Sequence, residues 1–537
     1  MKRMIAMLMA LLMLGGCAVK EEAPAASVPT VPVQVQQETA YESRFSTETL
    51  IELSDEGIKT KTLSVFASND IIYYEDRDFY ESGNPYGEGE DADKHAAEEA
   101  EKHIVVNITE PGAYRVTGKL SAGQIRVDLG EDAYEDPNAV VELILDNADI
   151  TCTVAPAILF LNVYECDGAW SEDTAKPDVD TSAAGANLIL EGKNTVNGSY
   201  VARIYKDKEG EKKLWKQDGA IYSYMSMNVS GSGALDLTAE NEGMDTELHL
   251  TINSGKITIR SGNDGINTNE DNVSVTTING GDIHIIAGLG AEGDGIDSNG
   301  YLVINGGKVF SSAHPAADAG LDSDLGSYIH GGTVLALGSS MDWAESDSDQ
   351  VTMNLQFAQY QSPADTIVVT REDGTEVFSY DPAADAVVGE NARRFMGAII
   401  SCPDLKQGDT YLVYTGGQQL QYTGTDVMRR PGGFGGQMPD NAPPEGFDGQ
   451  MPEMPEGWTP EQMGEPPAEF AGKIPEGFEG QMPPMPDGQG GGGRGEQKGK
   501  PEGFNGSGSA EQSGEGNTLF YMQDKVNFFS GLTAASE

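Results

Sequence analysis

The chain has 537 residues, more than one ordinary core organises, so it holds two or three domains or one long repetitive one. Its 86 acidic against 34 basic residues leave a formal charge of −52, which argues against nucleic acid or an anionic membrane surface as a direct partner. An anionic ligand would need a cation between it and the protein.

Residues 1–17, "MKRMIAMLMALLMLGGC", run from a basic start at Lys2 and Arg3 through a short apolar stretch to small residues. This is an export leader, too short to span a bilayer as a stable helix. Its ending, Leu14-Gly15-Gly16-Cys17, resembles the bacterial lipoprotein cleavage box, in which the cysteine becomes the lipidated first residue. The resemblance implies an exported protein held on the outer surface of the cell membrane by a lipid on Cys17 alone. Residues 18–47, rich in Ala, Pro, Val, Gln and Glu without period, read as a flexible tether.

From residue 48 to 340 the chain repeats itself. Aligned on the apolar residue of each acidic turn, Ile221, Met244, Ile266, Ile296 and Leu321 recur at intervals of 22 to 30 residues. Gly233, Gly255, Gly281, Gly307 and Gly332 keep the same period downstream. Between these landmarks lie strictly alternating runs such as Leu248/Leu250/Ile252, Ile257/Ile259 and Ile283/Ile285, the period-two signature of strands. Short strands and glycine turns at a fixed period mark a solenoid whose coils stack. The expected fold is all-β, a right-handed parallel β-helix over 48–340 with the acidic loop at 75–101 as an insertion. The column Ile221, Met244, Ile266, Ile296, Leu321 is expected to point inward.

Residues 341–427 read as a small antiparallel β unit capping the solenoid, with a hairpin signal at Asp373-Gly374. Residues 428–517, with "PEGFDGQMP" echoed by "PEGFEGQMP", are too rich in Pro, Gly and like charge to bury a core and read as disordered. Apolar alternation returns in the tail at 518–537, which is expected to fold back on the β body. Three cysteines besides Cys17 remain, Cys152, Cys166 and Cys402, an odd number from which no disulfide framework can be read. Cys152 and Cys166 are candidates to pair, or all three serve as small apolar core residues.

The chemistry concentrates in the acidic turns. The residues after the apolar column are Tyr222, Asp245, Asn267, Asp297 and Asp322, and those two before it are Gly219, Glu242, Asp264, Asp294 and Ala319. Stacked coils place these oxygens in two columns with about 4.8 Å between rungs. Carboxylates at that spacing repel by about 1 to 3 kcal/mol per pair, a cost that Ca²⁺, with six to eight oxygen ligands, relieves. Asp and Asn also favour turns for their own local hydrogen bonds, which suffices for one turn. For four consecutive turns in register the expectation is Ca²⁺ among Glu242, Asp245, Asp264, Asn267, Asp294, Asp297 and Asp322. No nucleophile elbow, phosphate loop or HExxH is present, and Lys216, Lys256, Arg260 and Lys308 are the candidate bases for an elimination reaction.

The phrases "ITEPGAYRVTGKLSAGQIRVD", "LILDNADITCTVAPAI", "DGINTNEDNVSVTTINGGDIHI" and "GDGIDSNGYLVINGGKV" together resemble the bacterial calcium-binding, carbohydrate-binding β-helix family first described in cellulolytic clostridia. The resemblance spans about 48–425, and "TLFYMQDKVNFFSG" looks like the family's tail. It implies a surface protein of polysaccharide-lyase-like fold that binds cellulose-like or acidic plant polysaccharide, carries calcium and is not itself a lyase. Tyr222 in the first coil and Ala319 in the last depart from the acidic pattern. The resulting expectation is a non-catalytic, calcium-dependent polysaccharide-binding lipoprotein, a monomer with no nucleic-acid partner. A calcium-dependent pectate-type lyase and a structural adhesin are the alternatives.

Overall fold

The computed structural model describes residues 41–73, 95–166, 171–204, 215–426 and 516–535. The leader with Cys17, most of the tether, most of the acidic loop and the Pro/Gly-rich segment lie outside the described residues. The described protein is all-β, and its α-helix Ala97–Ala100 has four residues. Among the described residues no helix is long and apolar enough to cross a membrane.

Three ladders of parallel strands account for the repeats. One ladder carries Gly123–Asp128, Ile158–Asn162, Gly219–Ser223, Glu242–Thr246, Ile266–Thr268, Ile296–Ser298 and Asp322–Ser323. A second runs from Val141–Thr151 through Ala186–Glu191, Met227–Gly231, Leu250–Ile252, Val275–Ile278 and Tyr301–Ile304 to Gly326–Ile329. The third carries Lys193–Gly198, Ala234–Ala239, Lys256–Ser261, Asp282–Ile286, Lys308–Ser312 and Thr333–Gly338. Each repeat of sequence therefore adds one strand to each ladder.

Register turns sequence period into columns of like residues. Ile221, Met244, Ile266 and Ile296 pair along the first ladder, Val229, Ile252, Ile278, Ile304 and Ile329 along the second, and Val196, Leu237, Ile259 and Ile285 along the third. All are fully buried, in one core cluster. β-branched and other aliphatic side chains suit this position because each packs against its own kind one rung above and below. Between the second and third ladders the chain bends at Gly255, Gly281, Gly307 and Gly332, whose φ values of +110°, +95°, +82° and +89° only glycine adopts readily.

The last strand of the third ladder does not end in a bare edge. Thr333–Gly338 pairs antiparallel with Phe395–Ser401, which also pairs antiparallel with Thr352–Gln361. Ile367–Arg371 and Glu376–Tyr380 form a hairpin through Asp373-Gly374. The C-terminal strand Val526–Ala534 lies parallel to Thr352–Gln361. A second core forms here, where outward side chains of the third ladder, Ile286, Phe310, Leu335 and Leu337, meet Met353, Phe357, Phe395, Phe520 and Phe529. The exposed strand edge and its apolar outer face are thus covered together. No disulfide joins Cys152, Cys166 and Cys402 to one another, and Cys152 and Cys402 are buried.

Gly265 shows how tightly the rungs close. A Cβ there would stand 2.2 Å from Ile285 Cγ2 and 2.5 Å from the Gly295 carbonyl oxygen. Gly265→Ala should cost about 1 to 3 kcal/mol in urea unfolding, whereas Leu63→Ala, at a side chain 97% exposed, should leave the midpoint unchanged.

Candidate functional site

The register that aligns the apolar column also aligns its polar neighbours. Tyr222, Asp245, Asn267, Asp297 and Asp322 stand side by side along the first ladder. The second column begins with Glu242 opposite Gly219, and the backbone bonds Gly243 N–H to Asp264 O and Gly265 N–H to Asp294 O carry it onward. All seven residues picked from the sequence therefore lie on one edge, in two adjacent columns. The structure does not treat them alike.

The first rungs are covered. Strands Val201–Ile204 and Trp215–Gln217 pair antiparallel, and the second of them brings Lys216 against the acidic edge. Lys216 Nζ lies 2.8 Å from Asp218 Oδ2 and donates to Asn269 Oδ1 at 2.8 Å. Asn269 Nδ2 in turn donates to Asp245 Oδ1 at 2.5 Å, and Tyr222 donates its hydroxyl proton to Glu247. Under this cover Asp245 is 0% exposed, Glu242 4% and Asn267 6%.

Carboxylate oxygens of Asp218, Glu242 and Asp245 lie within 4.8 Å of one another. Three further facts make the arrangement costly as it stands. Glu242 Oε2, Asp245 Oδ2 and Asn267 Oδ1 are buried and accept no hydrogen bond, each a desolvated acceptor without compensation. Burial, and then the charge of Asp218, pushes the Glu242 carboxyl above its ordinary range; burial, and then Glu242, pushes Asp245 well above. Burial pulls Lys216 down, but Asp218, Asp245, Glu242 and Glu247 together outweigh it and hold the ammonium charged. One lysine faces four carboxylates there. The site wants more positive charge than the chain supplies, and its donor set, all oxygen, fits a hard cation.

Further along the edge the carboxylates tie rung to rung. Asp264 Oδ1 accepts the Asp294 N–H at 2.6 Å, Asp294 Oδ1 accepts the Ala319 N–H, and Asp318 Oδ2 accepts the Gly293 N–H at 3.2 Å. Asp264 is nonetheless raised well above its ordinary range, by burial and then by Asp297. Asp297 and Asp322 are half-buried and lie on the last two strands of the ladder. Glu242, Asp245 and Asn267 thus share one buried cluster, Asp264 and Asp294 serve the backbone as well, and Asp297 and Asp322 stay half-buried on the last rungs.

Sequence reasoning missed Asp218. The signal was present as another Asp-Gly step, Asp218-Gly219, but Ala220 separates it from Ile221, whereas Asp264-Gly265 leads directly into Ile266. One extra residue shifts Asp218 out of the aligned column. Of the four candidate bases, Lys216 alone joins the acidic cluster; Lys256, Arg260 and Lys308 belong to the third ladder, where Lys256 is 4.0 Å from Asp282 and Arg260 2.7 Å from Asp236.

Comparison with known proteins adds the following. A sequence-family profile described as "Carbohydrate-binding domain-containing protein" matches residues 102–397, more than half of the chain. A protein of Acetivibrio thermocellus with that same description is 28% identical over 157 residues, 29% of this chain and 45% of the relative, so the chain spans less than half of that relative's length. A solved structure of a polysaccharide lyase-like protein from C. thermocellum, a gadolinium derivative, is similar at 20% identity and a TM-score of 0.31, covering 53% of this chain and 93% of that one.

The raised carboxyls set a pH dependence. A carboxyl whose pKa is higher in the folded than in the unfolded chain stabilises the fold while protonated, and that stability is lost as pH climbs from the unfolded carboxylate range through the folded value. In chelator the melting temperature should therefore fall as pH climbs above the ordinary carboxylate range, and Asp245→Asn should flatten that slope, as read by thermal unfolding at a series of pH values.

Proposed function

Because the chain belongs to the carbohydrate-binding domain-containing family, we propose that it is a non-catalytic, calcium-dependent polysaccharide-binding protein of the cell surface, anchored through Cys17. Three parallel ladders that each gain one strand per repeat support a solenoid reading. Right-handed winding follows from the strong preference of parallel crossovers for that hand. The ligand class proposed is a cellulose-like or acidic plant polysaccharide.

One observation carries the calcium reading: of the Asp218, Glu242 and Asp245 carboxylates, which lie within 4.8 Å of one another, Glu242 and Asp245 each keep a buried oxygen without a hydrogen bond, as does Asn267 on the next rung. Asp218, Glu242, Asp245 and Asn267 would hold the ion. Bound calcium supplies the positive charge that Lys216 alone does not, and an acceptor for oxygen donors. The chain's residues do the rest: Lys216 and Asn269 hold the Asp218 and Asp245 carboxylates in place. Burial of that cluster makes it a staple of the fold. Contact with a uronate or sugar hydroxyl through a cation belongs to the last rungs, at the half-buried Asp297 and Asp322.

A lyase reading would assign the base to Lys216, the one basic candidate beside the carboxylates. A base must be able to give up its proton at working pH, and the four carboxylates facing Lys216 stabilise its charged form. That opposes catalysis and favours binding.

Calcium at a hundred times its dissociation constant should stabilise the chain by about 2.7 kcal/mol, and Glu242→Gln with Asp245→Asn should remove most of that gain. Calorimetric titration with oligogalacturonate and cello-oligosaccharide, with calcium and with chelator, checks the ligand: chelator should weaken binding of the acidic oligomer. Binding of both oligomers unaffected by chelator would limit calcium to a structural role, and binding of neither would remove the polysaccharide reading. Cys17→Ser should release the protein from the membrane fraction of the cell that expresses it.

A further inference from the structure

The outer face of the second ladder is built differently from the acidic edge. Its outward row runs Asn187, Asn228, Thr251, Thr277, Val303, Tyr328, each paired in register with the next. Beside it, just past the strand ends, Asn253, Asn279 and Asn305 form an amide ladder, with Asn279 Nδ2 donating to Asn253 Oδ1 at 2.9 Å and Asn305 Nδ2 donating to Asn279 Oδ1 at 2.9 Å. An amide has two N–H donors and two carbonyl lone pairs. Along the ladder Asn279 spends one of each, so it keeps one N–H and one lone pair for a ligand.

Residues 177–182 wall this face and make it a groove of about 410 Å³ that reaches from Asn228 past the asparagine ladder to His330. The wall is pinned at one point, where Thr181 Oγ1 lies 2.7 Å from both Asn228 Oδ1 and Thr251 Oγ1 and Asn228 Nδ2 donates to the Thr181 carbonyl at 2.8 Å. Thr277 lines the groove with a hydroxyl that has no hydrogen-bond partner, although the residue is only 7% exposed. A buried hydroxyl left unpaired costs free energy unless something completes it. At the far end the row continues into aromatic side chains: the Tyr301 and Tyr328 rings lie 6.2 Å apart, and Tyr328 stacks on His330 at 6.3 Å.

The titratable groups lining the groove are Asp178, Asp180 and His330, and His330 is held by Asp349 at 3.0 Å. Among the described residues no lysine or arginine lines it. An anionic polymer would therefore meet two carboxylates in the lining, offset in part at the wall by exposed Lys176, whose charge acts on Asp180. An uncharged polyhydroxylated chain meets amide and hydroxyl groups repeated about every 4.8 Å and, at one end, flat rings of the kind that cover apolar faces with a polar rim.

We infer that this groove binds an uncharged, extended glycan along the solenoid axis, with Asn279 and Thr277 as hydrogen-bonding floor and Tyr328, just beyond the lining and stacked on its His330, as platform at the end. The inference rests on the reading that the chain binds polysaccharide, and adds which face does so and for which class of sugar. The acidic edge then serves cations and the amide groove serves neutral sugar.

The test is calorimetric titration of the full chain, with calcium present, using a cello-oligosaccharide and an oligogalacturonate of equal length. Thr277→Val keeps the side-chain shape and removes only an unpaired hydroxyl, so its melting temperature should stay level or rise, yet its affinity for the neutral oligomer should fall about tenfold. Asn279→Ala and Tyr328→Ala should each weaken it at least as much, and none should affect the acidic oligomer equally. If the wild-type chain binds the neutral oligomer and all three variants bind it unchanged, the groove assignment is wrong while polysaccharide binding stands. Loss of acidic-oligomer binding in these variants with the neutral oligomer unaffected would overturn the assignment of sugar class. A wild-type chain that binds neither oligomer would overturn the groove and the wider reading together.

Discussion

In-register parallel stacking is the constraint on which the rest of the molecule depends. Once strands pair residue for residue, whatever occupies a position in one coil is repeated about 4.8 Å away in the next. For Ile266 between Met244 and Ile296 the repetition is favourable, since each rung buries apolar surface against the last. For Asp245 beside Asn267 the same repetition gathers acidic and amide oxygens that water cannot reach. The fold therefore creates an electrostatic problem in the act of solving its packing problem.

The chain answers that problem in three local ways. At the first rungs it brings in Lys216 with Asn269 and closes the strand pair over them. In the middle it spends one oxygen each of Asp264 and Asp294 on a backbone N–H of the next coil. At the last rungs it leaves Asp297 and Asp322 half-buried, where nearby solvent lowers the cost. The first answer is incomplete, because Glu242, Asp245 and Asn267 still hold uncompensated oxygens, and this shortfall is the physical basis for a resident cation. On the second ladder the repeated polar residue is neutral, and Asn253, Asn279 and Asn305 resolve the repetition by bonding to one another.

What the sequence discloses follows from which interactions are periodic. Period-two alternation makes the all-β class legible, and the spacing from Ile221 to Ile296 makes the buried column legible, because stacking demands the same residue type at the same step. The columns Tyr222 to Asp322 and Glu242 to Asp294 are legible for the same reason. Asp218 escapes because Ala220 breaks the step. The cover over the first rungs escapes too, since the pairing of Trp215–Gln217 with Val201–Ile204 depends on a contact that no local pattern announces. The asparagines at 253, 279 and 305 read as turn punctuation, and only the register reveals that they are a ladder.

A crystal structure grown in calcium, with anomalous density measured at the acidic edge, addresses the central claim most directly. The account requires a peak bounded by Asp218, Glu242, Asp245 and Asn267, with their unpaired oxygens turned towards it. An edge that stays empty in saturating calcium, with Lys216 Nζ moved across to bond the Glu242 and Asp245 oxygens, would show that the chain neutralises its own columns and needs no metal.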